Sequence, residues 1–196
     1  LMLPWLLPEV VVALIWKWLF NPTYGLINYI LNTVGLIDSD VSWFDSSTSA
    51  LSGVIFVAVW KGYPIVMIMM LAGMKNIPAE RYEAAAIDGA TEKQAFIIIK
   101  LPLLLQVLAP LLIASFAFNF NNFNIIYLLT GGGPTNAIDG EVAGATDILI
   151  SYAYKTAFGT NFQNLGLSSA ISMVMFVIVG SMSLYTLKKS KVLETL

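Results

Sequence analysis

Ser115, Phe118, Asn119 and Asn122 recur at the i, i+3, i+4, i+7 spacing that gathers side chains on one helix face, inside an otherwise apolar run. A primary amide both donates and accepts hydrogen bonds and so matches a sugar hydroxyl, while a phenylalanine ring can lie against the apolar face of a pyranose. The same amides can instead tie one membrane helix to another, a common use of polar side chains in lipid. In either role they need a protein or water neighbour, because a polar group facing hydrocarbon is costly. Asn121 and Asn124 fall on other faces, where helix-to-helix contact is the simpler use. A second candidate is Lys61, flanked by Gly62 and Pro64. An ammonium at mid-membrane depth costs about 2.5–3.5 kcal/mol, so it must face a cavity or a partner. Gly62 and Pro64 weaken a helix there and free backbone groups to line such a cavity.

Other chemistries find little support. The chain has no His and no Cys, which removes thiol chemistry, disulfides and the commonest metal ligand. No nucleophile–base pair or carboxylate pair stands out, so no catalytic residue, metal site or cofactor is expected. A net charge of −2 offers no face for nucleic acid. Trp5, Trp16, Trp18, Trp43 and Trp60 read mainly as membrane-boundary anchors or packing.

Elements that hold these residues must be membrane helices. Hydrophobic residues make up 58% of the chain and charged ones 11%, well away from the balance of a soluble domain. Four segments reach the roughly 20 apolar residues needed to cross a bilayer core: about 1–20, 50–72, 103–127 and 165–187. Lys and Arg gather in two places, the 73–102 loop and the Lys188-Lys189-Lys191 tail. Basic residues stay on the cytoplasmic side, so segments 21–49 and 128–164 are expected to face outward. The outer segments carry Asp38, Asp40, Asp45, Asp139, Glu141 and Asp147 against a lone Lys155. Each also has a helical pattern: Leu26, Ile27, Ile30, Leu31 and Val34 in 25–36, and an apolar stretch over 145–158 with Asp147, Ser151 and Lys155 four residues apart. The chain starts within an apolar run, which reads as the later part of a longer polypeptide.

The 73–102 loop concentrates Lys75, Glu80, Arg81, Glu83, Asp88, Glu92, Lys93 and Lys100. Acidic residues followed by Ala84, Ala85 and Ala86 make a strong helix start, and Gly89 lets the chain turn. A second helical stretch over about 91–100 leads into Pro102, which suits the first turn of the next span. Such a helix–turn–helix can be a plain solvated linker, or its small alanines can dock closely into a groove on another protein.

Glu83-Ala84-Ala85, then Gly89, then Ile99 and Leu101-Pro102 resembles the EAA signature of membrane subunits of binding-protein-dependent ABC importers. Trp60-Lys61-Gly62-Tyr63-Pro64, Ser115 to Phe123, and Leu128 to Pro134 are similar to the sugar-importing branch, in particular permeases of maltose and maltodextrin systems. The resemblance implies an all-α integral membrane fold of the type I ABC importer (MetI-like) kind over 1–196, with an N-terminal part missing here. It implies four kinds of macromolecular or lipid partner: a second homologous permease subunit, two ATP-binding subunits, an extracytoplasmic sugar-binding protein, and the lipid of a prokaryotic cytoplasmic membrane. It implies a sugar ligand held by Lys61, Gly62, Ile65, Ser115, Phe118, Asn119 and Asn122, and coupling to the ATPases through Glu83, Ala84, Ala85, Asp88 and Gly89. Two departures stand out, since the pattern favours an uncharged residue at Lys61 and an aromatic one at Ile65. The rival readings are an ion-coupled transporter using Lys61 and a partner carboxylate, and a non-transporting membrane scaffold. For the first, Glu9 is the one acid within the four segments.

Overall fold

The computed structural model of the chain describes residues 1–75, 77–78, 80–87, 89–135, 143–159 and 163–189, and its regular elements are all helical among them. Asp88, Asp139, Glu141 and Lys191 lie outside the described residues. Among the described residues, three stretches are long and apolar enough to cross a membrane: Ser47–Lys75, Leu111–Leu129 and Leu165–Tyr185. The chain forms two compact units, one of Leu1–Gly62 with Phe120–Ile178, the other of Tyr63–Asn119 with Val179–Leu196.

The first expected span is not one helix, and Pro8 is the reason. Helix α1 covers Leu3–Leu6, Leu7 turns extended at φ −74° and ψ 137°, and α2 runs over Glu9–Leu19. Proline has no N–H to give the carbonyl four residues back, and its ring drives the preceding residue out of helical geometry. At 1.5 Å per residue the 11 residues of α2 rise only about 16 Å, half of a bilayer core.

The core of the first unit is the seam where α2 meets the early part of α4 (Ser47–Lys75) and α8 (Phe123–Leu129). Val12, Ala13, Phe20, Val54, Val57, Ile125, Ile126 and Leu129 are buried there. Trp16 stands edge-on to Phe56 and Trp60, with centroids 5.1 and 5.2 Å away, and Phe20 meets Trp43 and Phe44. Trp16, Trp43 and Trp60 are therefore packing residues, whereas Trp5 and Trp18 are about half exposed.

The helical patterns of 25–36 and 145–158 appear as shorter helices. Helix α3 covers Leu26–Thr33, and its Asn28 is 2% exposed. That amide donates to the Pro22 and Val41 carbonyls at 3.0 Å and accepts from the Trp43 indole at 2.8 Å. Helix α9 begins at Leu149, four residues after the expected start, and ends at Phe158. The four-residue spacing of Asp147, Ser151 and Lys155 brings the three together. Ser151 Oγ donates to Asp147 Oδ1 at 2.8 Å and Lys155 Nζ to Oδ2 at 2.7 Å. The Gly144 N–H completes the carboxylate's shell. Gly132, at φ 84°, lies so close to Asp147 and Lys155 that a Cβ would collide with both. The glycine turn and the ion pair are one assembly.

In the second unit, Gly73 lets the end of α4 approach α7 (Leu101–Phe120), since a Cβ there would stand 2.6 Å from buried Leu104. Between them lies the predicted hairpin. Helix α5 covers Glu80–Ile87, and α6 covers Glu92–Ala95. Thr91 and Gln94 form a reciprocal capping box on α6, Gln94 Oε1 accepting from the Thr91 N–H at 2.9 Å. Thr91→Ala is expected to cost about 1 kcal/mol, seen as faster amide exchange over 92–95. The expected second helix of 91–100 departs from α geometry at 96–100, where one turn is π-helical. Pro102 cannot donate to the carbonyl of Ile98, so the ladder slips by one residue, and the Leu101 N–H bonds back to Phe96.

The expected span of 103–127 is also interrupted. Helix α7 ends at Phe120 and α8 starts at Phe123, with Asn122 at φ −77° and ψ 83° between them. Its Oδ1 accepts from the Ile125 N–H, the local capping bond by which asparagine competes with helix continuation. Helix α10 covers Leu165–Lys189.

Candidate substrate path and coupling loop

In the first unit, polar side chains collect where helices stop. The last carbonyls of α1 have no helical partner. Lys61 Nζ, reaching over from α4, donates to the carbonyls of Pro4, Trp5 and Leu7 at 3.1, 2.9 and 2.6 Å. An ammonium has three donors, so none is left for a sugar. In this arrangement the lysine completes a broken helix. Gly62, beside it, faces open space, with nothing within 4 Å of where a Cβ would stand. The helix does not loosen around it, because α4 continues through Gly62 and buried Pro64 to Lys75.

On the other side of Pro8, Glu9 opens α2. Its carboxylate accepts from Asn122 Nδ2 at 3.4 Å and from Asn124 Nδ2 at 2.9 Å. Asn124 is thus the helix-to-helix contact its position predicts. Asn122 leaves the helical face on which the spacing put it, because the helix has already ended at Phe120. Glu9 has no place in the residue set read from the sequence. A carboxylate directly after a proline, in an apolar run, was the available signal.

The second unit holds Ile65, Ser115, Phe118 and Asn119. Helix α7 keeps the last three on one face as expected. Asn119 Nδ2 turns back to the Ser115 carbonyl at 2.8 Å and to its hydroxyl at 3.4 Å, while the Phe118 ring is 66% exposed. An exposed aromatic ring beside an amide and a hydroxyl can stack on a neutral sugar and bond its hydroxyls.

The hairpin carries the residues expected to couple. Ala85 is buried, whereas Glu83 and Ile87, four residues apart on one face, are exposed, Ile87 by 85%. Gly89 has φ 79°, and the Ala90 N–H bonds to the Ala85 carbonyl at 2.9 Å. A left-handed glycine followed by that long backward bond is the usual way a helix is closed. Ala84 lies within α5.

Comparison with known proteins agrees with this architecture. The chain is 47% identical over 192 residues to the maltose/maltodextrin transport system permease protein MalF of Vibrio vulnificus (strain YJ016), covering 97% of this chain and 36% of that protein. It is 46% identical over 193 residues to the MalF of Photorhabdus laumondii, covering 98% and 37%. The chain therefore spans little more than a third of these curated relatives. A crystal structure of a bacterial ABC transporter that imports the acidic polysaccharide alginate superposes with a TM-score of 0.79 at 25% identity, over 96% of this chain and 62% of that one. The profile of binding-protein-dependent transport system inner membrane components matches residues 1–190, and the chain belongs to that family.

Proposed function

We propose that this chain is the membrane-spanning part of a permease subunit in an ATP-driven importer of a neutral, maltodextrin-like oligosaccharide. The observation that carries the reading is the 47% identity to a maltose/maltodextrin permease along 97% of the chain. In this reading the subunit sits in the cytoplasmic membrane of a prokaryote beside a second, homologous permease. It receives sugar from an extracytoplasmic binding protein and hydrolyses nothing itself. Two ATP-binding subunits dock on the exposed Glu83–Ile87 face of the hairpin, next to Ala84, Asp88 and Gly89. Their closure moves the hairpin as a body and switches access to the path.

Gly62, Ile65, Ser115, Phe118, Asn119 and Asn122 are the residues that meet the sugar. A neutral ligand is favoured over an acidic polysaccharide such as the one imported by the alginate transporter. Lys61 spends its donors on carbonyls, Glu9 is itself an anion, and the remaining polar groups are amides and a hydroxyl. The ion-coupled alternative loses its relay for the same reason, since Lys61 and Glu9 each have other partners.

The test is transport of labelled maltotriose in proteoliposomes holding the assembled complex, with ATP hydrolysis followed in parallel. Uptake that needs ATP and loaded binding protein, and survives a protonophore, supports the reading. Uptake abolished by the protonophore alone overturns it. Asn119→Ala is expected to lower the sugar moved per ATP about tenfold, the effect of losing one or two hydrogen bonds to the passing ligand.

A further inference from the structure

Glu9 and Lys61 are the two charges of the first unit that lie within apolar stretches and flank the same helix interruption. Resting on the sugar-path reading above, we infer that Glu9 is a positioning residue that joins the Pro8 and Asn121–Asn122 interruptions and fixes the Asn122 amide for the sugar, while Lys61 holds the α1 side of the same break.

Pro8 splits one apolar stretch, leaving a carbonyl end on α1 and an N–H end on α2. The carbonyl end carries partial negative charge and attracts a cation, and the N–H end carries partial positive charge and attracts an anion. The chain supplies both. Lys61 binds three carbonyls on the α1 side, and Glu9 is the first residue of α2. Opposite charges on the two sides of one break make the group neutral as a whole, which lowers the cost of placing it in a low-dielectric region.

The carboxylate then reaches the second interruption. Its two oxygens take one amide each, Oε1 that of Asn122 and Oε2 that of Asn124. Asn122 is held twice, since its Oδ1 accepts from the Ile125 N–H while one Nδ2 proton goes to Glu9. A primary amide has two N–H donors, so one remains, with its direction set by the other two bonds. That remaining donor is the one offered to a sugar hydroxyl. Asn122 is half-buried and lies outside regular helix, so without Glu9 only the capping bond would orient it. Both interruptions belong to the same compact unit, and α2 and α8 pack directly through Val12, Ala13, Ile125 and Ile126.

Glu9→Gln keeps the shape and loses one acceptor, and it turns an NH2 group toward an asparagine NH2. Glu9→Asp keeps the charge but is one methylene shorter and falls out of reach. Each is assayed in proteoliposomes for maltotriose moved per ATP hydrolysed. The expected result for both is a fall of about tenfold in that ratio, because the sugar loses an oriented donor while hydrolysis continues. A fault of folding alone lowers uptake and hydrolysis in proportion and leaves the ratio unchanged, which overturns the inference. The double variant with Asn122→Ala separates the levels. If Glu9 acts through Asn122, adding Glu9→Gln to Asn122→Ala changes the ratio less than about twofold. Fully multiplicative effects overturn the positioning role. If Asn122→Ala lowers the ratio and neither Glu9 variant does, only this inference fails; if none of the three lowers it, the sugar path assigned to Asn122 fails as well.

Discussion

Lys61→Met should destabilise the subunit by about 3 kcal/mol, lowering its melting temperature by roughly 10 °C in lipid discs. Methionine fills similar volume, so packing changes little and the loss is electrostatic. Three carbonyls, of Pro4, Trp5 and Leu7, forfeit their donor at once. Pro8 cannot replace it, because proline has no N–H. Each buried carbonyl left without a donor costs about 1–3 kcal/mol, and three lose theirs together. Lys61 keeps some exposure, which argues for the lower end of that range. Lys61→Arg should recover part of the loss, since it keeps the charge but presents a flat fork rather than three converging donors. The rival role makes a different forecast. If Lys61 met the ligand, methionine would leave the melting temperature alone and lower only the sugar moved per ATP. Differential scanning fluorimetry on the purified complex, run beside the transport assay, distinguishes the two.

How much of this was legible depends on the physics behind each feature. Long apolar runs announce spans through composition alone, so 50–72 and 165–187 appear nearly where α4 and α10 run. The hairpin was legible because its helix start and glycine turn are local signals. Helix interruptions were not, although their causes stand in the sequence. Pro8 could begin a helix or end one, and only the extended Leu7 decides. Asn121-Asn122 fits a continuous helical face as well as a break, and the capping bond to Ile125 settles it. The use of Lys61 depends on carbonyls more than 50 residues away in sequence, which periodicity cannot reveal. The sequence did show that an ammonium within an apolar run needs partners. It could not show that they are backbone atoms of a broken helix rather than a ligand.

Charge reversal at Glu83 and Gly89→Pro should each remove sugar-stimulated ATP hydrolysis while leaving the subunit folded in the membrane. The two variants reach the same result by different routes. Glu83 is exposed on α5, in line with Ile87, so Glu83→Lys changes the proposed docking face without touching the hairpin's own packing at buried Ala85. A like-charge contact in place of a matched one at an interface costs several kcal/mol, enough to cut stimulation by at least about thirtyfold. Gly89 acts through shape. Its φ of 79° is closed to proline, whose ring holds φ near −65°, so the chain cannot leave α5 in the same direction. The bond from the Ala90 N–H to the Ala85 carbonyl would be lost with it. Gly89→Ala gives the graded control: no atom lies within 4 Å of its new Cβ, so it pays only the left-handed backbone, about 1–2 kcal/mol. Stimulation should then fall in the order wild type, Gly89→Ala, Gly89→Pro, with Gly89→Ala lowering the melting temperature by only a few degrees. If all three hydrolyse ATP like the wild type when loaded binding protein is added, the hairpin is a linker and the motion must enter the membrane elsewhere.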